Sequence, residues 1–412
     1  MSSVNFMEKL LDGVEVKWKP LGKVLVRTKG TKITAGQMKE LHKYGAPLKV
    51  FAGGRTVAFV DFGDIPAKDV NREPSIIVKS RGFIEFEYYE KPFSHKNEMW
   101  SYHSKNDDMH IKYVYYFLKL NEPYFQKLGS KMQMPQIATP DTDKFQIPIP
   151  CPENPKKSLE IQAEIVRILD AFTELSAELS AELSARKKQY NYYRDQLLSF
   201  EEGEVEWKML GDVAIIQRGA SPRPIAKYIT DHEHGVPWIK IGDTSPGSKY
   251  VTSTAQKITS EGAKKSRILN EGDFIMSNSM SFGRPYILNI RGAIHDGWAS
   301  ISGFSEMLNS DYLYHYLSSN KVQNYWAGKI NSGSVSNLNA DIIKTLPVPI
   351  PTLSEQERVA SILDKFDALT TSLTEGLPNE IALRQQQYEY YRDLLLSFPK
   401  VEGETALRIG QG

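Results

Sequence analysis

Two donor-rich segments stand out in the second half of the 412-residue chain: QRGASPR at 217–223 and SNSMSFGR at 277–284. Guanidinium, amide and hydroxyl groups donate hydrogen bonds to polar or anionic partners. The surrounding region from Val213 to Ser300 has 11 basic and 7 acidic residues, whereas the whole chain has 51 and 50. The formal net charge of +1 therefore conceals a locally basic surface that suits binding.

Catalytic chemistry finds less support in the residues. His295 and Asp296 are adjacent, but no serine or cysteine nucleophile motif accompanies them, so a polar cluster that orders the fold is favoured. A DNA methyltransferase needs a glycine-rich cofactor turn and an Asn/Asp-Pro-Pro-aromatic tetrad, and the sequence has neither. Glu15-Val16-Lys17 imitates part of a nuclease motif, but the repeat described below places it in a connector. We predict no catalytic residue.

Metal, disulfide and membrane chemistry are not predicted either. His232 and His234 lie two residues apart without the pattern of a third ligand, and the single cysteine, Cys151, has no partner for an internal disulfide. The chain has no run of 18 apolar residues, and its first residues lack the pattern of a secretion signal. These observations predict a cytoplasmic protein.

An internal repeat explains the length of the chain. QYNYYRDQLLSF at 189–200 and QYEYYRDLLLSF at 387–398 share ten of twelve residues at an offset of 198. Shorter matches precede each copy, including Phe172 with Phe366, so the chain is a tandem duplication of about 200 residues. The central parts, roughly 25–110 and 214–310, match poorly, which is typical of two different binding surfaces on one framework. A duplicated structural protein with drifted loops is the alternative.

The repeated parts predict long helices. The segment from Ser158 to Phe200 lacks proline and glycine, and its apolar residues recur every three or four positions. About 43 residues at 1.5 Å each give a helix of roughly 64 Å, which needs an equally long partner. The segment from Ser354 supplies one, with a break expected at Gly376 and Pro378. We expect the two to form an antiparallel coiled coil.

The remaining parts read as mixed structure, because short alternating strands and a few helical segments are separated by Gly, Pro, Asn and Asp. The predicted fold class is α+β: two mixed α/β domains joined by two long helices in a pseudo-two-fold tandem repeat. The expected boundaries are 1–155 and 202–352 for the mixed domains, with helical regions at 156–201 and 353–412.

Over its whole length the chain resembles the specificity subunit of type I restriction-modification systems. The order of its parts is that family's order of target-recognition domain and helical region, twice over. SGSVSNLN at 332–339, followed by PVPIP, SEQERV and SILDKFD, is similar to the family's junction into a helical region. The segments similar to a recognition core are WIKIGD at 238–243, GDFIMSNSMSFGR at 272–284, AIHDGWASI at 293–301 and VKSRGFIEFEYYEKPFSHKNEMW at 78–100.

This resemblance implies a non-catalytic DNA-binding subunit. Each recognition domain would read one half of a split target, and the helices would bind two methyltransferase subunits, to which restriction subunits can be added. The chain itself would bind no cofactor; S-adenosylmethionine, ATP and Mg²⁺ are expected on the partner subunits. The residues alone leave a second possibility open, a coiled-coil adaptor that binds protein and no DNA.

With DNA as the expected ligand, the donor-rich segments supply candidate contacts. Arginine can hydrogen-bond guanine through two donors and asparagine can pair with adenine, while serine suits phosphate. A single basic residue is more often part of a solvated surface, so the prediction depends on the sets. The candidates are Lys79, Ser80, Arg81, Lys96 and Asn97 in the first half, and Arg218, Ser221, Arg223, Asn278, Ser279, Ser281 and Arg284 in the second.

The repeated tyrosine motif has two interpretations. Its residues can pack the helix ends, or they can form a docking surface for methyltransferase subunits that is present twice because two copies bind. A mixture of both is favoured. The candidate partner-binding residues are Tyr190, Tyr193, Arg194, Tyr388, Tyr391 and Arg392.

Three tandem tetrapeptides, ELSAELSAELSA at 174–185, favour helix and suggest a length ruler. One ELSA unit adds about 6 Å of helix, and B-DNA rises about 3.4 Å per base pair. Proteins of the resembled family use repeated tetrapeptides here to set the nonspecific spacer. A slipped, functionally inert repeat is the alternative. The residues assigned to the spacer are Glu174, Leu175, Leu179, Leu183 and Ala185.

Overall fold

The chain divides into two compact units. The computed structural model describes residues 13, 15–105, 109–131, 133–201, 203–245, 247–278, 283–331, 338–372 and 374–399. The first unit combines the chain up to Leu175 with the chain from Arg384, and the second runs from Ser176 to Leu383. The four-part division expected from the sequence, with boundaries near 155, 201 and 352, stays a prediction. The boundaries between the compact units fall within α6 (Pro155–Leu197) and α13 (Gly376–Leu395) instead, after Leu175 and before Arg384.

The first unit contains a mixed domain, the start of helix α6 up to Leu175 and the end of helix α13 from Arg384, so each of these helices belongs to both units and is given below with the domain that precedes it. Its strands form a four-stranded sheet in the order β2-β8-β5-β6, a three-stranded sheet β4-β3-β7 and a separate pair β1-β9. The elements are β1 Val16–Pro20, α1 Leu21–Val24, β2 Val26–Lys29, α2 Ala35–Leu41, β3 Leu48–Phe51, β4 Val57–Val60, β5 Ser75–Lys79, β6 Glu85–Tyr89, β7 Phe93–His95, β8 Trp100–His103, α3 Ile111–Leu120, α4 Glu122–Gly129, α5 Thr139–Asp143, β9 Gln146–Pro150 and α6 Pro155–Leu197.

The second unit repeats this plan with two five-stranded sheets, β11-β20-β17-β18-β14 and β12-β15-β13-β19-β16, and a separate pair β10-β21. The elements are β10 Glu206–Met209, α7 Leu210–Val213, β11 Ile215–Arg218, β12 Ile229–Thr230, β13 Val236–Ile239, β14 Tyr250–Val251, β15 Lys257–Ile258, α8 Ser260–Lys264, β16 Arg267–Leu269, β17 Phe274–Ser277, β18 Pro285–Leu288, β19 Gly292–Ile294, β20 Trp298–Ser302, α9 Ser310–Leu317, α10 Asn320–Asn331, α11 Ala340–Lys344, β21 Pro347–Ile350, α12 Leu353–Thr371 and α13 Gly376–Leu395.

The first and last strands of each mixed domain are hydrogen-bonded neighbours. β1 pairs antiparallel with β9, with Trp18 opposite Pro148, and β10 pairs with β21 in the same way, with Trp207 opposite Pro349. The chain therefore enters and leaves each domain side by side, immediately before a long helix begins. Prolines suit this last strand, because a pair of strands leaves half of its backbone groups without a ladder partner.

The expected helices are present. α6 spans 43 residues, so its predicted length is confirmed. The second helical region is interrupted, as expected, but α12 already ends at Thr371 and α13 already begins at Gly376. Gly376 has a φ of 77°, and a Cβ there would lie 2.6 Å from the carbonyl oxygen of Ala368, so only glycine fits this position. The expected fold class, two mixed α/β domains with long helices, is confirmed; antiparallel pairing along the full helices stays a prediction.

In each unit an aspartate on the long helix fastens the mixed domain to it. In the first unit, Tyr116 Oη donates to Asp170 Oδ1 at 2.5 Å, and Lys112 Nζ lies 2.7 Å from Asp170 Oδ2. In the second, His315 Nε2 lies 2.8 Å and Lys249 Nζ 2.5 Å from Asp364 Oδ1. The two aspartates end matching Ile-Leu-Asp triplets of the repeat, so the same contact is made twice with different partners.

A buried glutamine about two helical turns earlier makes a second attachment. The Oε1 atoms of Gln162 and Gln356 accept hydrogen bonds from the backbone N–H groups of His110 at 2.9 Å and Asn309 at 2.8 Å. His110 and Asn309 are the N-cap residues of α3 and α9. Each glutamine therefore satisfies a donor that a helix start leaves without an intrahelical partner, and it fixes the register of that helix against the long one.

Replacing Asp364 by asparagine should weaken this attachment in a pH-dependent way. Burial raises the pKa of Asp364, but the hydrogen bonds and charges of His315 and Lys249 outweigh it and hold that pKa below 3.8. Its stabilisation is therefore present above pH 3.8 and is lost as the pH falls below that value. We expect Asp364→Asn to lower the free energy of unfolding by about 1–2 kcal/mol at pH 7, allowing for partial solvent screening.

Urea unfolding between pH 7 and pH 3 measures this difference. The exposed Asp231→Asn is the matched control and should leave stability unchanged. A deficit of Asp364→Asn that stays constant across this pH range would contradict the assignment.

Candidate nucleic-acid interface

In the second unit the predicted residues meet around Asp296. Arg218 Nε donates to the Asp296 carbonyl oxygen at 3.0 Å, and Ser221 Oγ donates to Asp296 Oδ1 at 2.8 Å. Arg223 Nη2 lies 3.2 Å from Asp296 Oδ2. β11 ends at Arg218 and supplies the first of these side chains, while the loop after it supplies the other two. Three candidates that are separated in sequence from Asp296 by more than 70 residues thus form one cluster.

Asn278 joins the edge of this cluster from the segment after β17. Its Nδ2 lies 3.4 Å from the Asp296 carbonyl oxygen, and its backbone N–H donates to the carbonyl of Gly297 at 3.1 Å. Arg284 sits apart from these contacts, with its guanidinium 5.5 Å from the centre of the Tyr286 ring. Ser279 and Ser281 lie outside the described residues, and their role stays a prediction.

Electrostatics keep Asp296 ionised. Burial raises its pKa, but the hydrogen bond from Ser221 and the charges of His295 and Arg223 outweigh burial and lower it. His295 Nε2 lies 3.1 Å from Asp296 Oδ1, so this pair forms the polar cluster that the sequence favoured over a catalytic one. The Asp296 side chain is 26% exposed, whereas that of Arg223 is 83% exposed. The Arg223 guanidinium is therefore positioned by Asp296 and still exposed to a ligand.

In each domain a glycine lets the end of one strand approach the backbone of a second, distant loop. A Cβ on Gly219 would lie 2.1 Å from the carbonyl oxygen of His295, and a Cβ on Gly30 would lie 2.3 Å from that of Lys96. Real Cβ atoms do not approach backbone oxygens so closely, so both positions require glycine. Gly30 follows β2 as Gly219 follows β11, and the two domains therefore share one local architecture.

The first-unit candidates are divided between the interior and the surface. The Lys79 side chain is 8% exposed, lies 2.7 Å from Glu87 and also hydrogen-bonds Glu85. Burial lowers the pKa of Lys79, but the two glutamates outweigh it and raise the pKa, so the buried cation stays charged. Ser80 is buried and donates to the carbonyl oxygen of Glu98 at 2.6 Å. These placements favour a packing role for both residues.

The other three first-unit candidates reach the surface. Arg81 and Asn97 are exposed, and Lys96 is partly exposed with its Nζ 2.8 Å from Glu98 Oε1. Asn97 also lines a cleft that contains Lys29 and Lys32. The sequence prediction omitted these two lysines, although the repeat aligns their RTKGTK segment with 216–221, which covers the end of β11 and the start of the following loop. This alignment follows from the match of two segments that precede it, Trp18-Lys19-Pro20-Leu21-Gly22 and Trp207-Lys208-Met209-Leu210-Gly211.

The helix tyrosines of the second unit pack against their own unit. Tyr190 is buried and its Oη lies 3.0 Å from His315 Nδ1, while Arg194 is buried over the Tyr190 ring. Tyr193 stacks on Phe366 with ring centres 5.6 Å apart. Positions 190, 193 and 194 share one helix face by their spacing, so all three point the same way. This face is used for packing.

The first unit has the same arrangement. Tyr391 stacks on Phe172 with ring centres 5.4 Å apart, Tyr388 packs beside it, and the Arg392 guanidinium lies 5.8 Å from the Tyr388 ring. Among the motif tyrosines Tyr193 is 41% exposed, and the most exposed are Tyr192, at 61%, and Tyr390, at 56%. The sequence prediction omitted Tyr192 and Tyr390. Each lies two residues after a packed tyrosine, and this spacing already places it on a different face of the helix.

The proposed spacer lies within one uninterrupted helix. Leu175, Leu179 and Leu183 are partly buried, and Glu174 and Ala185 are exposed. Arg186 pairs with Glu182 at 2.7 Å, which stabilises the helix over one turn. Among the described residues no group of three or more metal-ligating side chains occurs, and no described helix is long and apolar enough to cross a membrane.

Known proteins of one kind resemble this chain throughout. A family model described as the type I restriction modification DNA specificity domain matches residues 17–186 and 202–383. The specificity subunit of the type I restriction enzyme EcoR124I/EcoR124II from Escherichia coli is 39% identical over 98% of this chain and 99% of its own. A type I restriction enzyme specificity subunit from Haemophilus influenzae is 32% identical, over 95% and 98%.

The fold is shared as well. The crystal structure of the S subunit of a type I restriction-modification system from M. genitalium superposes with a TM-score of 0.61, covering 94% of this chain and 98% of that one. The sequences are only 14% identical, so this likeness concerns the fold alone.

A methyl group added at Gly219 should destabilise the second unit, because it would meet the rigid backbone carbonyl of His295 at 2.1 Å. We expect Gly219→Ala to lower the free energy of unfolding by about 2–3 kcal/mol, measured by urea unfolding. Gly242→Ala is the control, since a Cβ there would meet nothing within 4 Å. Equal losses in the two variants would refute the close approach at Gly219.

Proposed function

This chain belongs to the family of type I restriction-modification DNA specificity proteins, and from that premise we propose that each mixed domain reads one half of a divided, asymmetric DNA target. It is the DNA-recognition subunit of such a system and is not itself an enzyme. The observation that carries the proposal is that two domains of one architecture present different side chains at the same place. Lys29 is the last residue of β2, and Arg218 is the last residue of β11. Lys29 lies opposite Trp100 on the neighbouring strand β8, and Arg218 lies opposite Ala299 on the corresponding strand β20.

In the second domain, reading is assigned to the cluster around Asp296. Arg223 is exposed but tethered, so little conformational freedom is lost when its guanidinium forks onto a guanine edge. Arg218 and Asn278 add donors next to it, and Ser221 holds the Asp296 carboxylate in place. In the first domain, Arg81, Lys96 and Asn97 are the surface candidates that remain from the sequence.

The long helices are proposed to set the distance between the half-sites. α6 is continuous through all three ELSA tetrapeptides, so its length follows the number of residues directly. Four residues correspond to about 6 Å, or between one and two base pairs of B-DNA. A ruler of this kind requires a stiff element, and the absence of proline and glycine between Ser158 and Phe200 supplies one.

Docking of two methyltransferase subunits is proposed at the helix faces opposite the packed tyrosines. Tyr190, Arg194, Tyr388, Tyr391 and Arg392 serve mainly to hold helix against domain. Tyr192 and Tyr390 have large exposed aromatic surfaces at matching positions of the repeat, and Tyr193, next to Tyr192, is also partly exposed. Aromatic residues of this kind are enriched at interface centres.

The cofactors of the partner subunits and the location of the complex are part of the same proposal. S-adenosylmethionine, ATP and Mg²⁺ belong to the methyltransferase and restriction subunits, and the complex acts in the cytoplasm, where its DNA is found.

Deleting Glu178–Ala181, one ELSA unit, should shorten the nonspecific gap of the target by one or two base pairs and leave both half-sites unchanged. Methylation-sensitive long-read sequencing of cells that make the complex measures this. The wild-type complex should methylate a split, asymmetric motif. A continuous palindrome would contradict the proposed function, and an unchanged gap in the deletion variant would contradict the ruler alone.

Arg223→Ala should relax or weaken recognition at one half-site only, by about 1–3 kcal/mol when a bidentate base contact is removed. Competition binding with duplexes altered in either half of the mapped motif measures the effect. Exposed Arg291→Ala in the same unit is the control and should keep wild-type discrimination. Equal losses at both half-sites would show that Arg223 contributes charge and no reading.

A further inference from the structure

A basic cleft of about 730 Å³ opens beside β2 in the first unit. Its walls include Arg27 and Lys29 from β2, Lys32 from the following loop, Lys68 from the turn after β4, and Asn97. Met99 and Trp100 contribute to its lining as well, and both are buried. The cleft therefore combines a firm apolar lining with cations at its rim.

Three of its cations are available for a ligand. Lys29, Lys32 and Lys68 are exposed, and none has an ion pair with a described residue. Arg27 is different, since its Nε lies 3.5 Å from Asp143 Oδ2. The lining also includes one acidic residue, Asp69, but the three lysines outnumber it, and an anion in the cleft would relieve their mutual repulsion.

The cleft occupies the position of the Asp296 cluster in the other unit. Lys96 N donates to the carbonyl of Phe51 at 2.9 Å, and His295 N donates to that of Ile239 at 3.1 Å, next to matching parallel strand pairs. The residue that follows is Asn97 in one unit and Asp296 in the other.

This single difference changes what the neighbouring cations can do. In the second unit the Asp296 carboxylate engages Arg223, whereas Asn97 is a neutral amide and can form no ion pair. Lys29, Lys32 and Lys68 consequently stay free to pair with an external anion. Lysine acts as a compact point charge, which suits phosphate oxygens better than the edge of a base.

We propose that the cleft seats the sugar–phosphate backbone of duplex DNA at the first domain's half-site, with Lys29, Lys32 and Lys68 as its phosphate contacts. The inference rests on the proposed function and adds a division of labour to it. The first domain holds its half-site through unpaired lysines, and the second presents cations that its own carboxylate orients.

The test uses the complex assembled with its methyltransferase subunits and a duplex that carries the motif mapped in cells. Changing all three lysines to glutamine should reduce the slope of log affinity against log salt by about 0.9 for each phosphate that is no longer neutralised. Affinity near 0.1 M salt should fall at least tenfold. The same ratio between wild type and variant should persist on a duplex with altered bases in the first half-site, because phosphate contacts carry no sequence information.

A charge-matched control separates this cleft from bulk charge. Changing Lys127, Lys144 and Lys156, three exposed lysines of the same unit, to glutamine should keep the wild-type slope. If the cleft variant also keeps that slope while wild type binds in a salt-sensitive way, the cleft proposal is wrong and the proposed function stands. If the wild-type complex shows no salt-sensitive DNA binding, the proposed function itself fails.

A second measurement needs no variant. Acetylation of the wild-type complex with and without the duplex should show Lys29, Lys32 and Lys68 protected at least fivefold by DNA, and Lys127 unchanged. Equal reactivity of the three cleft lysines in both states would overturn the proposal even if the triple variant failed to fold.

Discussion

The attachment of each mixed domain to a long helix is the constraint on which the rest of the molecule depends. A buried glutamine holds the start of a domain helix, and an aspartate further along holds its flank, in both units. Reading loops are useful only if their orientation is fixed, and these polar contacts fix it where apolar packing alone would allow sliding. Because burying polar groups is costly unless they are satisfied, the contacts also specify a single register of domain on helix.

Much of this architecture was predictable from the sequence, because it depends on periodicity and repetition. Apolar spacing and the lack of proline gave the length of α6, and the duplicated motifs gave two domains of one plan. Individual side chains were harder to place. Lys79 looked like a surface cation. In the structure its side chain is buried, because Glu85 and Glu87 on the paired strand β6 neutralise its charge, and nothing in the sequence marks these residues as its partners. Contacts made across a sheet leave no signal in a single sequence without its pairing register.

The two units show how one framework supports two electrostatic solutions. Glycine at 30 and 219 brings a strand end against a loop in both, and the loop residue that follows decides the outcome. An aspartate gathers arginines and a serine into a preorganised cluster, whereas an asparagine leaves lysines separate and available. The near-zero charge of the chain is thus the sum of locally basic segments and an acidic second helical region, in which residues 353–412 include 6 basic and 10 acidic residues.

The closing strand pairs β1-β9 and β10-β21 have an evolutionary consequence. Since each domain begins and ends on adjacent strands, its two junctions with the framework are only about 5 Å apart. Any domain that ends in such a pair could be inserted there without moving the helix that follows. An exchange of one mixed domain would therefore change the side chains that the chain presents while both long helices stay as they are.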